Sequence, residues 1–211
     1  MIDTSNNTVK ATVAVGTAPV GIAASKDGKK VYVANSGSNT VSVIDTSNET
    51  VTATVDVGTT PEGVAVTPNS KEVYVTNQDS NNVSVIDTSN DTVTYTIKVK
   101  SHPEGVSITP DGREAYIANE GSDDSSVIDI PTHTEVQVIH VGASPHSIGD
   151  FITTVPSFPP GAGGCGCNLD GKRVDGSSNV FLSLLFMTQL FLMLGLKKRF
   201  SAGFHNRIQT S

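Results

Sequence analysis

The 211-residue sequence has no tryptophan, only two cysteines, and aromatic residues that make up just 5% of the chain. A folded core must therefore be built from small and β-branched side chains, chiefly Val, Ile and Ala. The sequence is instead rich in Thr, Ser, Asn and Gly, which accompany these β-branched apolar residues. This composition predicts an all-β protein.

Charge is divided unevenly along the sequence, whose net charge is −7. Residues 1–150 hold 8 Lys and Arg against 19 Asp and Glu, a net charge of −11. Residues 151–211 hold 6 basic and 2 acidic residues, a net charge of +4. Because the acidic part repels nucleic-acid phosphate, binding to DNA or RNA is disfavoured and no nucleic-acid partner is expected.

A repeat of constant length dominates the first 150 residues. The sequence Tyr-Val-x-Asn begins at Tyr32, returns at Tyr74 and returns at Tyr116 with Ile in second place, each copy 42 residues after the last. Two further landmarks keep the same step: Pro19, Pro61, Pro103 and Pro145, and Asp3, Asp45, Asp87 and Asp129. A period of about 40–45 residues with four strand-like runs is typical of a propeller blade.

Each repeat predicts four antiparallel strands, shown by the first repeat. Small residues at 20–24 suit an inner strand near the axis, and consecutive apolar residues at 31–34 suit a strand buried on both faces. A third strand at 41–44 precedes an outer strand at 51–55, which alternates apolar residues with Thr. The predicted fold is an all-β, partial β-propeller of about three and a half blades spanning 1–151. Whole blades are expected at about 17–58, 59–100 and 101–142, with partial blades at both ends.

The repeat resembles that of the YVTN-family β-propellers, YncE-like surface proteins of bacteria and archaea. The resemblance implies a propeller of about seven blades that is usually exported. About half that number is present, so three interpretations stand: a fragment, a four-bladed ring, or two half-rings that pair. Because Met1-Ile2-Asp3 aligns with the middle of a blade and no signal peptide is visible, a truncated gene model is the simplest of them.

The C-terminal part predicts a membrane anchor. A Pro- and Gly-rich linker, 152–179, precedes an apolar run at 180–196, and a basic tail follows at 197–211. Seventeen helical residues span about 26 Å, which is at the short end for a bilayer. The positive-inside rule then leaves the tail in the cytoplasm and the propeller outside. The stop signal is the cluster Lys197, Lys198 and Arg199.

The linker contains Gly-Gly-Cys-Gly-Cys, which holds both cysteines, Cys165 and Cys167. Together with the spacer, apolar helix and basic cluster, it resembles a MYXO-CTERM-type sorting tail of bacteria. That resemblance implies that Cys165 or Cys167 is processed and lipidated. A plain membrane anchor, two ordinary thiols, and a metal or redox pair remain alternatives, although two ligands alone do not make a zinc site.

One polar set is placed by the repeat itself, directly after each landmark proline. Its members are Val20, Glu62, Glu104 and His146, and they open the innermost strands. We therefore expect the last three at the mouth of the central channel, where they could hold a divalent cation or a cationic ligand. The alternative is a solvated rim without a ligand.

The remaining polar motifs suggest no chemistry of their own. His102, His133 and His140 are expected at the surface. The sequence contains neither a nucleophile elbow nor a zinc-protease helix, so no catalytic residue and no organic cofactor is predicted. Asn6, Asn48 and Asn90 each begin an Asn-x-Thr sequon at a hairpin turn, where the turn itself also explains Asn.

Three functions fit these patterns. The first is a non-enzymatic cell-surface binding platform, tethered by its C-terminus, whose partner is a protein or a glycan. The second is an enzyme or metal-binding propeller, because related propellers include lactonases and cofactor-containing reductases. The third is a structural element of a surface coat.

Overall fold

The computed structural model describes residues 1–147, which form a two-stranded hairpin and three four-stranded antiparallel sheets. The hairpin consists of β1 (Ile2–Asp3) and β2 (Thr8–Val9). The first blade is β3 (Pro19–Ala24), β4 (Lys30–Asn35), β5 (Thr40–Asp45) and β6 (Thr50–Asp56). The second is β7 (Pro61–Val66), β8 (Glu72–Asn77), β9 (Asn82–Asp87) and β10 (Thr92–Lys98). The third is β11 (Pro103–Ile108), β12 (Glu114–Asn119), β13 (Asp124–Asp129) and β14 (Thr134–His140).

These sheets confirm the predicted all-β, partial β-propeller. Each blade keeps the simple strand order of a meander, from inner to outer strand. The linker, the apolar run 180–196, the basic tail, Cys165 and Cys167 lie outside the described residues. Within residues 1–147, no helix combines the length and the apolar character that a membrane crossing requires.

Strand register gives every blade the same two ends. Pro19 pairs with Asn35, and Asn35 pairs in turn with Thr40. We call this end the proline edge, since Pro61 and Pro103 pair with Asn77 and Asn119 in the same way. The other end, the hairpin edge, carries the turns that join β1 to β2, β5 to β6, β9 to β10 and β13 to β14.

The core lies between consecutive blades. One cluster joins the first and second blades, and another joins the second and third. Alternate residues of β8 serve both clusters, because Val73 and Val75 face the first blade while Tyr74 faces the third. Consecutive apolar residues in this strand therefore reflect burial on both faces, as the sequence predicted.

Among the described residues, no blade packs against one face of the first blade. Ile22 is 68% exposed, whereas Val106, which lies two repeats further on, is 4% exposed. Inner strands pack so closely that a Cβ added at Gly63 would meet the backbone carbonyl of Glu104. This contact explains the small residues of the inner strands.

The asparagine of the Tyr-Val-x-Asn motif holds the third strand of its own blade. Asn77 is fully buried, and its Nδ2 donates to Asn82 Oδ1 at 2.7 Å and to Ser84 Oγ at 2.9 Å. The equivalent asparagines make the same two bonds, to Thr40 and Ser42 from Asn35 and to Asp124 and Ser126 from Asn119. The motif therefore encodes a side-chain link between adjacent strands as well as a strand.

A second repeated polar link joins consecutive blades at the proline edge. Asn81 has a left-handed backbone, with φ of 52°, and its Oδ1 accepts a bond from the His102 backbone N–H at 2.9 Å. Asn39 and Asp123 accept equivalent bonds from the backbone N–H groups of Thr60 and Ser144. Asn and Asp tolerate this backbone region better than other side chains, which accounts for their presence in these turns.

Candidate functional site

The residues after the landmark prolines lie at the proline edge, as their repeat position requires. Val20 is 55% exposed, Glu62 and Glu104 are half-buried, and His146 is exposed. The first member is thus an apolar residue on the open face of the first blade. The polar members belong to the second and third blades and to the segment that follows β14.

Glu104 and His146 are brought together, with the Glu104 Oε2 in contact with the His146 Nδ1. The other carboxylate oxygen, Oε1, accepts a hydrogen bond from Gln78 Nε2 at 2.8 Å. The Glu104 side chain is 14% exposed and the His146 side chain is 61% exposed. Glu104 is therefore fixed from two sides, whereas His146 presents its ring to solvent.

Burial is the main cause of raised pKa values for two carboxyls at this edge, Glu62 and Glu104. Burial raises the pKa of Glu104 above its ordinary value, and the neighbouring carboxylates of Glu120 and Glu62 add to this, while His146 opposes it. Burial likewise raises the pKa of Glu62, and Asp79 adds to this while His146 opposes it. This pattern identifies a region of concentrated negative charge that a cation would relieve.

Within residues 1–147, no group of three or more His, Cys, Asp or Glu side chains is arranged to hold a metal ion. The geometry at the proline edge is a contact between a carboxylate and an imidazole, flanked by further carboxylates. A divalent-cation site formed by Glu62, Glu104 and His146 stays a prediction. The arrangement suits a cationic organic group that contacts the edge from outside, such as an ammonium or a guanidinium.

Sequence reasoning missed three members of this edge: Gln78, Asp79 and Glu120. A signal was present, because each follows the Tyr-Val-x-Asn motif by one or two positions. The pairing of Pro61 with Asn77 places these turn residues beside the start of an inner strand. The bond from Gln78 to Glu104, however, crosses from one blade to the next, and the repeat period does not reveal it.

A second polar cluster lies at the hairpin edge, between the second and third blades. The His133 Nδ1 lies 3.0 Å from the Tyr74 hydroxyl, and its Nε2 lies 3.4 Å from Glu72 Oε1. Tyr95 stacks on the imidazole at a centroid distance of 3.9 Å. The His133 side chain is only 12% exposed, so the expectation of a surface position for this residue is wrong.

The equivalent place between the first and second blades holds different residues. Lys30 Nζ lies 2.8 Å and 2.9 Å from the two carboxylate oxygens of Asp91 and also donates to the Thr88 carbonyl at 2.7 Å. Both clusters are explained by the packing of blades. These two clusters therefore help to set how consecutive blades pack. The proline edge remains the best candidate for a surface that binds a partner.

A cavity of about 230 Å³ lies between the outer strands of the first two blades. Its lining includes Asp56, Gly58, Asn82 and Thr96. None of the predicted site residues contributes to it. The candidate site is therefore the acidic surface at the proline edge and not this cavity.

Comparisons with known proteins agree with the architecture. A family model described as YNCE-like beta-propeller matches residues 1–154. Among solved structures, the chain is similar to hydrazine synthase of Kuenenia stuttgartiensis, with 33% sequence identity and a TM-score of 0.60. The similarity covers 65% of this chain and 41% of that one, so the chain spans less than half the length of this neighbour. No curated protein matches the chain.

Proposed function

The chain belongs to the YNCE-like β-propeller family, and on that premise we propose that it is a non-enzymatic binding platform displayed at the cell surface. Its blades supply a rigid frame, and its proline edge contacts the partner. The C-terminal apolar run at 180–196, with Lys197, Lys198 and Arg199 behind it, tethers the platform to the membrane, with Cys165 or Cys167 as the site of processing or lipidation.

The contrast between frame and edge supports a recognition role. Frame positions are repeated: Asn35, Asn77 and Asn119 make matching bonds in every blade. One position at the proline edge varies in kind, because the residue after the motif is Ser36 in the first blade, Gln78 in the second and Glu120 in the third. Variable side chains on a constant, rigid scaffold are typical of binding surfaces.

The single observation that carries the choice of partner is the fixed, half-buried carboxylate of Glu104 beside other acids. Burial is the main cause of its raised pKa; His146 opposes the shift, and Glu120 and Glu62 add to it. A partner that brings Lys or Arg side chains to this edge would form charge-assisted hydrogen bonds and reduce that repulsion. We therefore favour a basic protein segment over a neutral glycan.

Isothermal titration of the full chain with a synthetic oligolysine peptide tests this proposal. The double variant Glu62→Gln/Glu104→Gln should weaken binding by about tenfold, since two of the carboxylates at the edge are lost. The matched control Asp45→Asn/Asp87→Asn removes two charges from the hairpin edge while keeping the side-chain oxygens that accept the turn bonds. It should change the affinity by less than about twofold.

Equal losses in both double variants would show that only net charge attracts the peptide and would reject the proline edge as the binding surface. Binding of a neutral oligosaccharide but not of oligolysine would move the proposal to a glycan partner. If the full chain bound neither, the platform proposal would fail, and a structural coat role would take its place.

A metal-binding or enzymatic propeller is the second candidate, and the contact between Glu104 and His146 favours it. A carboxylate and an imidazole are ordinary ligands of Zn²⁺. Titration of the full chain with Zn²⁺ alone tests it. Zn²⁺ binding that is lost both in His146→Ala and in Glu104→Gln would support a metal site at this edge. Since two protein ligands do not make a zinc site, a third ligand at this edge would then be required. Glu62 is the residue that we would then examine as that ligand.

A further inference from the structure

Three hairpin turns carry the same tripeptide, Asn-x-Thr, at the same place in consecutive repeats. Their asparagines are Asn6, Asn48 and Asn90, which lie 42 residues apart and are all exposed. Each turn joins the two outer strands of its sheet at the hairpin edge. The middle residue of each tripeptide is not proline and has a left-handed backbone, with φ of 56° at Asn7, 60° at Glu49 and 54° at Asp91.

The turn fixes the two atoms of each asparagine amide differently. In the second blade, Asn90 Oδ1 accepts bonds from the Thr92 hydroxyl at 2.8 Å and from the Thr92 backbone N–H at 3.2 Å. Asn6 and Asn48 accept the same pair of bonds from Thr8 and Thr50. Within residues 1–147, these hydrogen bonds of the three side chains are all made by Oδ1, and the asparagines are exposed, so the Nδ2 lies at the surface.

The same turns contain a second, similar set of bonds three residues earlier. Asp87 Oδ1 accepts from the Ser89 backbone N–H at 2.8 Å and from the Ser89 hydroxyl at 2.7 Å. The third blade forms its turn without the tripeptide, since Thr132 replaces the asparagine and its hydroxyl bonds to Asp129 and Thr134.

We propose that Asn6, Asn48 and Asn90 are acceptors for asparagine-linked glycans. The tripeptide is the known acceptor sequence for this modification, and its place on a surface turn is the expected one. The donor is a lipid-linked glycosyl pyrophosphate. The Asn Nδ2 forms a bond to the anomeric carbon, the bond from that carbon to the pyrophosphate oxygen breaks, and the pyrophosphate leaves with the electron pair. A base of the transferase takes the Nδ2 proton.

The proposed glycans are compatible with the packing of the blades. All three asparagines lie at the hairpin edge, away from the face-to-face cores and from the acidic proline edge. A bulky, hydrated substituent there covers outer turns and leaves Glu62 and Glu104 open. The inference rests on the proposed surface location, because the donor is available to exported chains, but it concerns the opposite edge of the blades.

Peptide mapping by mass spectrometry of the full chain, recovered from the cells that make it, tests the proposal. Peptides that contain Asn6, Asn48 and Asn90 should each carry an added glycan mass, localised to the asparagine by electron-transfer fragmentation. Thr92→Ala should remove the mass from Asn90 alone, whereas Thr92→Ser should keep it. Thr132→Asn completes the tripeptide in the third blade and should add a fourth modified position.

Unmodified asparagine in all three peptides would overturn the proposal, and so would a mass that persists at Asn90 in Thr92→Ala. Protease accessibility on intact cells reports separately whether the chain is displayed. A displayed but unmodified chain refutes the glycans and leaves the platform standing. A modified chain that binds no partner at its proline edge refutes the platform and leaves the glycans standing.

Discussion

Lys30 and Glu72 occupy the same position in consecutive blades and carry opposite charges. Their partners, Asp91 and His133, are also 42 residues apart and are reversed in kind. Each partner belongs to the blade that follows, so both contacts cross a blade interface. The reversal means that the two interfaces share one geometry but are not interchangeable, which favours one order of blades over its alternatives.

Reversing one charge at the first interface should destabilise the protein. Lys30→Glu places a carboxylate beside Asp91 in a region where both native side chains are less than one third exposed. We expect a loss of about 1–2 kcal/mol in the free energy of unfolding of the full chain, measured with denaturant. Adding Asp91→Lys should restore most of it. No recovery in the double variant would show that this ion pair does not contribute to the interface.

The pH dependence of stability should report the burial of Glu72. Burial holds the pKa of this carboxyl above its ordinary value of 4.5, with Asp87 adding to the effect and His133 opposing it. A raised native pKa means that folding takes up a proton, so the contribution is fully present below 4.5 and is lost as the pH rises through the native value.

Relative to Glu72→Gln, the wild-type chain should therefore lose stability as the pH increases from about 4 to 7. Denaturant midpoints for both proteins across this range measure the difference. A wild-type chain that gains stability relative to Glu72→Gln as the pH rises would contradict the assigned burial.

Close contact between inner strands predicts a sharp difference between two glycines. A methyl group at Gly63 meets the Glu104 carbonyl, whereas one at Gly142 meets nothing within 4 Å among the described residues. Gly63→Ala should lower the free energy of unfolding by about 1–3 kcal/mol, and Gly142→Ala should leave it nearly unchanged. Comparable effects of the two substitutions would contradict the close stacking of β7 on β11.

The buried asparagine of the motif should matter more than an exposed one. Asn77→Ala removes two donated hydrogen bonds and leaves Ser84 and Asn82 without this partner. The expected cost is about 2–3 kcal/mol, measured by denaturant unfolding. Asn48→Ala, at an exposed turn, should cost about 1 kcal/mol or less. A smaller loss for the first variant than for the second would reject the proposed link between strands.

The sequence allowed a correct prediction of the fold because strand-forming, β-branched residues recur at the same positions of every 42-residue repeat. The Tyr-Val-x-Asn copies place a strand that is buried on both faces, and the structure confirms this for β8 through Val73, Tyr74 and Val75. The position after each proline likewise placed Glu62 and Glu104 at the start of an inner strand, as the structure has them; their place at a channel mouth with His146 stays a prediction.

The missed contacts share one physical cause. The bond from Gln78 to Glu104 and the cluster around His133 depend on how one sheet is placed against the next. A 42-residue period fixes which residues are equivalent, but it does not fix which side chains of neighbouring blades meet. His133 lies two residues after Pro131 and resembles an ordinary turn residue, yet Tyr74 and Tyr95 of the preceding blade contact its ring.

The central functional claim is that a cationic partner contacts the proline edge of the second and third blades. Hydrogen exchange of the full chain, with and without oligolysine, tests it most directly. We predict slower exchange of backbone amides at 60–63, 78–81, 102–105 and 120–123, with no change in the hairpin turns at 46–49 and 88–91. Protection confined to those turns, or protection that is the same in Glu62→Gln/Glu104→Gln, would contradict the account.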